Sequence, residues 1–288
     1  MEKLRAGIIG GTGMVGQRYV TLIANHPWFE LSVIAASARS AGKTYEEAVG
    51  AKWALDDPMP ECAKKMVVRN AADVADIVKD VDFVFSAVDM KKEDILALEE
   101  EYSKAECPVV SNNSANRWTP DVPMVIPEIN ADHLAVITDQ KKRLGTKRGF
   151  IAVKSNCSIQ SYVPALSPFR ADFGLSKILV CTYQAISGAG KTFKTWPEMV
   201  DNVIPYIGGE EEKSEQEPMK VWGRVEDGVI KNAEKPLITA QCLRVAAANG
   251  HMAAVFVTFD KKPSMDEMKA RWAAYKGLSL IHISEPTR

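Results

Sequence analysis

Along the first 130 or so positions, apolar and polar residues alternate in two periods. Leu4–Ile9 is a short apolar run that predicts a strand, and Met14–Ala24 repeats its apolar positions at helical spacing. Phe29–Ala36 (FELSVIAA), Val81–Val88 (VDFVFSAV) and Pro108–Ser111 (PVVS) predict further buried strands. Lys91–Lys104 predicts a helix with its charges on one face. Strands and helices in alternation give an α/β fold, a doubly wound, mostly parallel sheet covered by helices. The pattern changes at Asp121–Asp132 (DVPMVIPEINAD), where two prolines and an Asx-rich end cluster. A boundary is therefore expected there, with a first domain over 1–132 and a second over 133–277.

The second part opens with KRGFIAVKSNCSIQ, a strand ending at a cysteine. Leu175–Gln184, Thr239–Arg244 and Met252–Phe259 predict longer strands, the last two flanking the turn pair Asn249-Gly250. Long antiparallel strands beside helices predict an α+β domain with a mixed sheet rich in antiparallel pairs. No internal repeat or low-complexity tract interrupts the pattern.

Composition narrows the function classes. With 46% hydrophobic residues, the chain can bury one large or two medium cores. A formal net charge of -1 supplies no field to attract nucleic acid or an anionic membrane. No apolar run approaches the roughly 20 residues of a membrane span. The N-terminus enters a strand directly, without a signal-peptide cleavage site. Five cysteines, an odd number and widely spaced, form no CxxC pair and no zinc-type set. Reduced thiols, a cytoplasmic protein and no metal are the expectations.

Residues 7–18 read GIIGGTGMVGQR, placing Gly10, Gly13 and Gly16 between a strand and a helix. Such glycines allow a tight turn and close backbone approach, and a helix start offers free N–H groups to a pyrophosphate. Gly10, Thr12, Gly13, Met14, Val15 and Gly16 are the candidate cofactor residues. A glycine turn without a ligand is the plain alternative. After the second strand, where an NAD site would carry an acid, stand Ser37, Arg39 and Ser40, and the acid Glu30 lies upstream. An arginine with hydroxyls suits a 2'-phosphate and favours NADP, unless this is only a solvated basic loop.

Cys157 lies between Asn156 and Ser158, after a strand and before the apolar run Ile159–Leu166. That predicts a helix N-terminus, where the dipole favours a thiolate. Cys181 and Cys242 sit in apolar strand patterns and are expected in the core, and nothing polar surrounds Cys62 or Cys107. Of the histidines, His251 follows Asn249-Gly250 at a strand start, so its ring can be held beside a site. His26, His133 and His282 are poorer candidates. Arg244, in the preceding strand, could face the same pocket across the turn. A structural histidine is the plain reading of His251.

The segments GIIGGTGMVGQR, AASARSAGK, SNNSANRW, VPMVIPEIN, SNCS, YQAISGAG, EEEK and RVAAANGH run in order from residue 7 to 251. Together they resemble the aspartate-semialdehyde dehydrogenase family, in its archaeal/fungal-like branch. The resemblance implies a Rossmann-type NADP-binding domain, a catalytic and dimerisation domain, and NADPH-dependent reduction of aspartyl phosphate to aspartate semialdehyde. That reaction supplies lysine, threonine and methionine synthesis. It implies Cys157 as the nucleophile that becomes a thioester, His251 as general acid/base and Gln184 as orienting residue. Arg244 would hold the α-carboxylate and Glu210, or Glu211, the ammonium. Lys213 and Arg117 would take the phosphate, Asn156 the phosphate or an oxyanion, and Ser187 and Gly188 would lie by the nicotinamide. The plain alternatives are a solvated charge run at Glu210 and Lys213 and a surface arginine packed on Trp118. The resemblance also implies a homodimer or homotetramer built through the second domain's sheet. A malonyl- or succinyl-CoA reductase resembles the same branch, and a non-catalytic NADP-binding sensor would need neither Cys157 nor His251.

Leu278–Arg288 (LSLIHISEPTR) fits neither pattern and matches the translation of one frame of a common sequencing adaptor. An ordinary tail is the alternative. The family's last part, which returns to the nucleotide domain, has no counterpart after Gly277. A chain ending so is expected to be unstable or weakly active.

Overall fold

A computed structural model describes residues 2–275, so the 278–288 segment lies outside the described residues. The chain forms two compact units: residues up to Pro123 with Val136–Lys154, and Met124–Ala135 with the chain from Ser155 on.

In the first unit the strands are β1 (Leu4–Ile9), β2 (Phe29–Ala36), β3 (Arg69–Asn70), β4 (Phe83–Ser86) and β5 (Val109–Ser111). The chain then passes through β6 (Met124–Val125), which counts with the second unit, and returns as β7 (Ile151–Lys154). The first unit's strands order as β3-β2-β1-β4-β5-β7, all parallel. The order reverses between β1 and β4, the switch point at which ligands bind in open parallel sheets. Ile8, Ile34, Val20 and Tyr45 form its buried core with the helix Met14–Ile23. The single boundary expected after residue 132 differs from this division. β7 pairs with β5, and the buried Gln140 on helix Ile137–Leu144 ties that helix to the sheet. Its amide nitrogen donates to the carbonyls of Asp121 (2.8 Å) and Ile151 (2.9 Å), and its oxygen accepts from Ile151 N–H.

A buried carboxylate organises the end of β4 and β5. Glu99, on helix Lys92–Lys104, is fully buried. Its Oε1 accepts from Ser86 Oγ at 2.7 Å, Ser111 Oγ at 2.6 Å and Asn113 Nδ2 at 3.0 Å, and its Oε2 from Asn116 Nδ2 at 2.8 Å. Burying a carboxylate is costly unless its lone pairs are filled, and four neutral donors fill these. The loop after β5 is thereby held against the helix.

The second unit is built on a four-stranded sheet, β13-β8-β12-β9: β8 (Leu175–Gln184), β9 (Val203–Ile204), β12 (Leu237–Val245) and β13 (His251–Phe259). A separate hairpin joins β10 (Arg224–Glu226) to β11 (Val229–Lys231). The strands flanking Asn249-Gly250 are not neighbours: β8 lies between them, parallel to β12 and antiparallel to β13. The sheet is therefore mixed, and its register matters for the site.

Candidate functional site

The register sets three polar side chains in a row across the sheet. Gln184, the last residue of β8, pairs with Arg244 on one side and with His251 on the other. Residues alternate between faces along a strand. Ile178, Val180, Thr182 and Gln184 are buried on the inner face with Ile238, Cys242 and Arg244. Leu179 and Phe256, paired with each other, stand exposed on the outer face. The inner face thus ends in Gln184, Arg244 and His251 at one edge.

His251 Nε2 lies 3.1 Å from Cys157 Sγ. Nδ1 of the same ring receives the Ala185 N–H at 3.0 Å and also faces the Gly250 carbonyl at 3.1 Å. The Ala185 carbonyl accepts Arg244 Nη1 at 2.7 Å, so one residue's backbone holds both ring and guanidinium. Gly188 packs close to both. A Cβ there would stand 3.0 Å from Arg244 Nη1 and from His251 Cε1, and 3.1 Å from His251 Nε2. Any side chain at 188 would push on the Arg244 guanidinium and the His251 ring. Burial pushes the Arg244 guanidinium below its usual range, with Glu210 and Cys157 acting the other way.

Cys157 is exposed, as is Cys62, whereas Cys107 and Cys242 are buried and Cys181 is intermediate. The helix expected after Cys157 is instead a 3-10 turn at Ile159–Ser161 followed by the single turn Val163–Leu166. Pro164 and Pro168 prevent a longer run, because a proline cannot accept a place in a helix interior without losing a backbone bond. So short a turn carries little macrodipole. The feature that sets Cys157 apart is its contact with His251.

Helix Glu210–Val221 supplies the other half of the site. Its start is Gly209 in the left-handed conformation (φ 74), and Glu210, Glu211 and Glu212 fill its first turn, where the positive end of a helix favours carboxylates. Glu210 turns inward. Its oxygens accept Lys213 Nζ at 2.7 Å, Asn156 Nδ2 at 3.1 and 3.2 Å, and Gln184 Nε2 at 3.3 Å. Burial by itself would raise the Glu210 carboxyl, but Lys213, then Asn156 and Gln184, hold it below the usual carboxylate range. Glu211 instead accepts the Cys242 N–H at 3.3 Å, which separates the roles of the two adjacent acids. Asn156 is buried, and its amide is engaged with Glu210. Gln184 donates also to Thr182 Oγ1 at 3.2 Å.

Several residues here were not expected from sequence. Glu217 and Ser214 are fully buried in what looked like a solvated charge run. Glu210, Ser214 and Glu217 recur at helical spacing, which is the signal that marks one face. The plain reading of Arg117 as a surface residue fails: it lies in the first unit, 6% exposed, with Nε on the Lys154 carbonyl at 3.0 Å and Nη2 on the Asn112 carbonyl at 3.2 Å. His133 is buried between Asn130 and the Gly223 carbonyl.

In the first unit the glycine loop follows β1 and opens the helix Met14–Ile23. Gly10 has φ +88, and a Cβ there would meet the Ala87 carbonyl oxygen at 2.3 Å. A Cβ at Gly16 would meet the Gly10 oxygen at 2.2 Å. Gly13 is the helix N-cap with no side-chain cap, and a Cβ there would meet nothing closer than 3.7 Å. The loop thus keeps a helix start bare. Thr12 and Met14 are half-buried and Val15 is exposed. Ser37, Arg39 and Ser40 form the turn after β2, with Ser37 and Arg39 exposed and the Ser40 N–H on the Ser37 carbonyl at 2.9 Å. Ser187 is half-buried and Gly188 exposed in the 3-10 turn Ile186–Ala189 of the second unit.

Comparison with known proteins places this arrangement. The family model "Semialdehyde dehydrogenase, NAD binding domain" matches residues 5–137, and "Semialdehyde dehydrogenase, dimerisation domain" matches residues 166–287. The aspartate-semialdehyde dehydrogenase of Methanothermobacter thermautotrophicus is 40% identical, over 96% of this chain and 77% of that one. That of Archaeoglobus fulgidus is 41% identical, over 95% of this chain and 77% of its own. A crystal structure of the Candida albicans enzyme with NADP superposes with a TM-score of 0.84 at 32% identity, covering 96% of this chain and 78% of that one. The chain belongs to the aspartate-semialdehyde dehydrogenase family.

Proposed function

We propose that the protein catalyses the NADPH-dependent conversion of L-aspartyl 4-phosphate to L-aspartate 4-semialdehyde and phosphate, and the reverse phosphorylating oxidation. The observation that carries the reading is the 3.1 Å contact between Cys157 Sγ and His251 Nε2, at the end of the row Arg244–Gln184–His251. His251 takes the thiol proton, and the sulfur attacks the acyl carbon. The carbon–oxygen bond to phosphate breaks, leaving a thioester on Cys157. After reduction, the carbon–sulfur bond breaks, the semialdehyde leaves and the thiolate is restored.

Arg244 offers a planar fork to the substrate α-carboxylate. Glu210, kept ionised by its three donors, faces the ammonium. Lys213 is the cation for the phosphate, and Gln184 fixes Glu210 on the sheet side. The residues present fit NADP: the crowded Gly10 and Gly16, the bare helix start at Gly13, and an exposed arginine among hydroxyls after β2. Gly10, Thr12, Gly13, Met14, Val15, Gly16, Ser37, Arg39 and Ser40 would hold the nucleotide, and Ser187 and Gly188 the nicotinamide. When bound, the cofactor supplies the hydride. The product feeds synthesis of lysine, threonine and methionine.

Kinetics separate this reading from an acyl-CoA reductase. The expected result is reduction of NADP+ by aspartate semialdehyde that requires phosphate, and negligible NADPH oxidation with malonyl-CoA or succinyl-CoA. A preference for the thioesters would overturn the assignment.

The same sheet supports a homodimer. Leu179, Leu237, Met252 and Phe256 leave the outer face of β8, β12 and β13 apolar and exposed, and contiguous apolar patches of this kind mark association surfaces. Light scattering should find twice the chain mass for the native protein. Phe256→Lys, which puts a charge at the most exposed of these apolar positions, should shift the protein to monomer. A variant with unchanged mass would place the interface elsewhere. Among the described residues no helix is long and apolar enough to cross a membrane.

A further inference from the structure

Helix Glu210–Val221 does more than present Glu210. One of its faces grips the nucleophile segment at four points. Glu210 accepts the Asn156 amide. Ser214 Oγ meets Ser158 Oγ at 3.2 Å. The Ser214 carbonyl accepts Tyr162 Oη at 2.6 Å. Glu217 Oε2 accepts the backbone N–H of Asn156, the residue before Cys157, at 2.6 Å. Asn156 closes the loop on itself, its Oδ1 taking both the N–H and the hydroxyl of Ser158 at 2.7 Å.

The proline inside this helix explains one of the contacts. Pro218 has no N–H, so the carbonyl four residues before it, that of Ser214, loses its helical partner. Tyr162, almost fully buried, replaces that donor. A break in the helix ladder therefore becomes an anchor for the segment that follows Cys157. Glu217 is fully buried and stands next to the proline, one more turn along the same face.

We infer that Glu217 is a positioning residue for the nucleophile: it acts as an acceptor that fixes the Asn156 peptide, and with it the sulfur against His251. The inference rests on Cys157 being the nucleophile. A carboxylate buried among polar groups is costly to maintain, and a backbone N–H can be satisfied more cheaply elsewhere. What the Glu217 side chain adds is a short bond, 2.6 Å, one residue from the reacting atom.

The test uses the full chain with Glu217→Met, Glu217→Gln and Tyr162→Phe, reading kcat, KM and the rate of iodoacetamide alkylation at Cys157 by peptide mass. Glu217→Met is expected to lower kcat about 100-fold, the scale of an ångström-size misplacement, with KM within about threefold. Alkylation at Cys157 should slow while Cys62 is unaffected. Glu217→Gln keeps an acceptor and should restore kcat to within about fivefold of native. Tyr162→Phe should lower kcat about tenfold by loosening the second anchor. Native kcat and alkylation in a folded Glu217→Met protein would overturn the inference, as would a Gln variant as impaired as the Met variant. Should Glu217→Met not fold, native values in Tyr162→Phe would overturn it. A Cys157→Ala enzyme that still turned over would instead sink the nucleophile assignment itself, so the two failures are distinct.

Discussion

Cys157→Ala is expected to lower kcat by about ten-thousand-fold or more, because no other group in the site can form the thioester. Far-UV dichroism and the urea unfolding midpoint should not move, since the thiol is exposed and its removal empties no core volume. NADP binding should also persist, because the glycine loop belongs to the first unit. The native enzyme provides an internal control. Cys62 and Cys157 are both exposed, so access alone does not separate them. Among the described residues, Cys157 and not Cys62 has an imidazole nitrogen 3.1 Å from its sulfur. Rapid alkylation confined to Cys157 near neutral pH therefore reports that contact. Equal labelling of the two, with no turnover by the native protein, would favour a sensor that merely binds the nucleotide, and a Cys157→Ala protein with more than about one per cent of native kcat would show that another group is the nucleophile.

The parts of the protein most legible in its sequence are those that local rules determine. A strand, a glycine turn and a helix follow one another over residues 4–23 as hydrophobic period and glycine spacing require. Gly10 and Gly16 explain themselves once the backbone contacts are seen, because a Cβ at either would collide with main-chain atoms. The site is less legible where the sheet decides. Nothing near Asn249-Gly250 reveals that β8 is inserted between β12 and β13, since strand order is a long-range property. That insertion is what puts Gln184 between Arg244 and His251 instead of leaving the latter two as hairpin neighbours.

The region around Cys157 departs from its hydrophobic pattern for a different reason. Apolar residues at 159–166 have a helical look, but two prolines divide the run into turns. Likewise GGEEEKSEQE has the composition of a solvated surface, yet Ser214 and Glu217 are buried. Composition averages over faces of a helix. The 3.6-residue period resolves them only if polar residues are allowed to mark a buried face, which hydrophobic patterning does not do. Burial of polar groups is affordable here because each has a partner within the same cluster.

His251→Gln is the second large expected effect: kcat should fall by about a hundred- to ten-thousand-fold, the range lost when a general acid/base is removed. The geometry explains why no neighbour can substitute. To take the thiol proton, Nε2 must be bare, which in the neutral ring places the hydrogen on Nδ1, pointing to the Gly250 carbonyl at 3.1 Å. Once it has taken the proton the ring is an imidazolium, and it gives the same proton back from Nε2 while Nδ1–H still faces the Gly250 carbonyl. Nδ1 thus keeps one backbone acceptor in both states of the ring, so the transfer requires no reorganisation there. A glutamine amide can sit near the sulfur, but it cannot exchange a proton with it. Alkylation of Cys157 should slow in parallel with kcat, and the variation of kcat/KM with pH should lose the component due to the imidazole. KM for aspartate semialdehyde should change little, because Arg244 and Glu210 remain. The measurement is a pH series of initial rates on both proteins, with unfolding midpoints to confirm that the fold is kept. Native turnover in His251→Gln would show that the 3.1 Å contact orients the sulfur without carrying its proton.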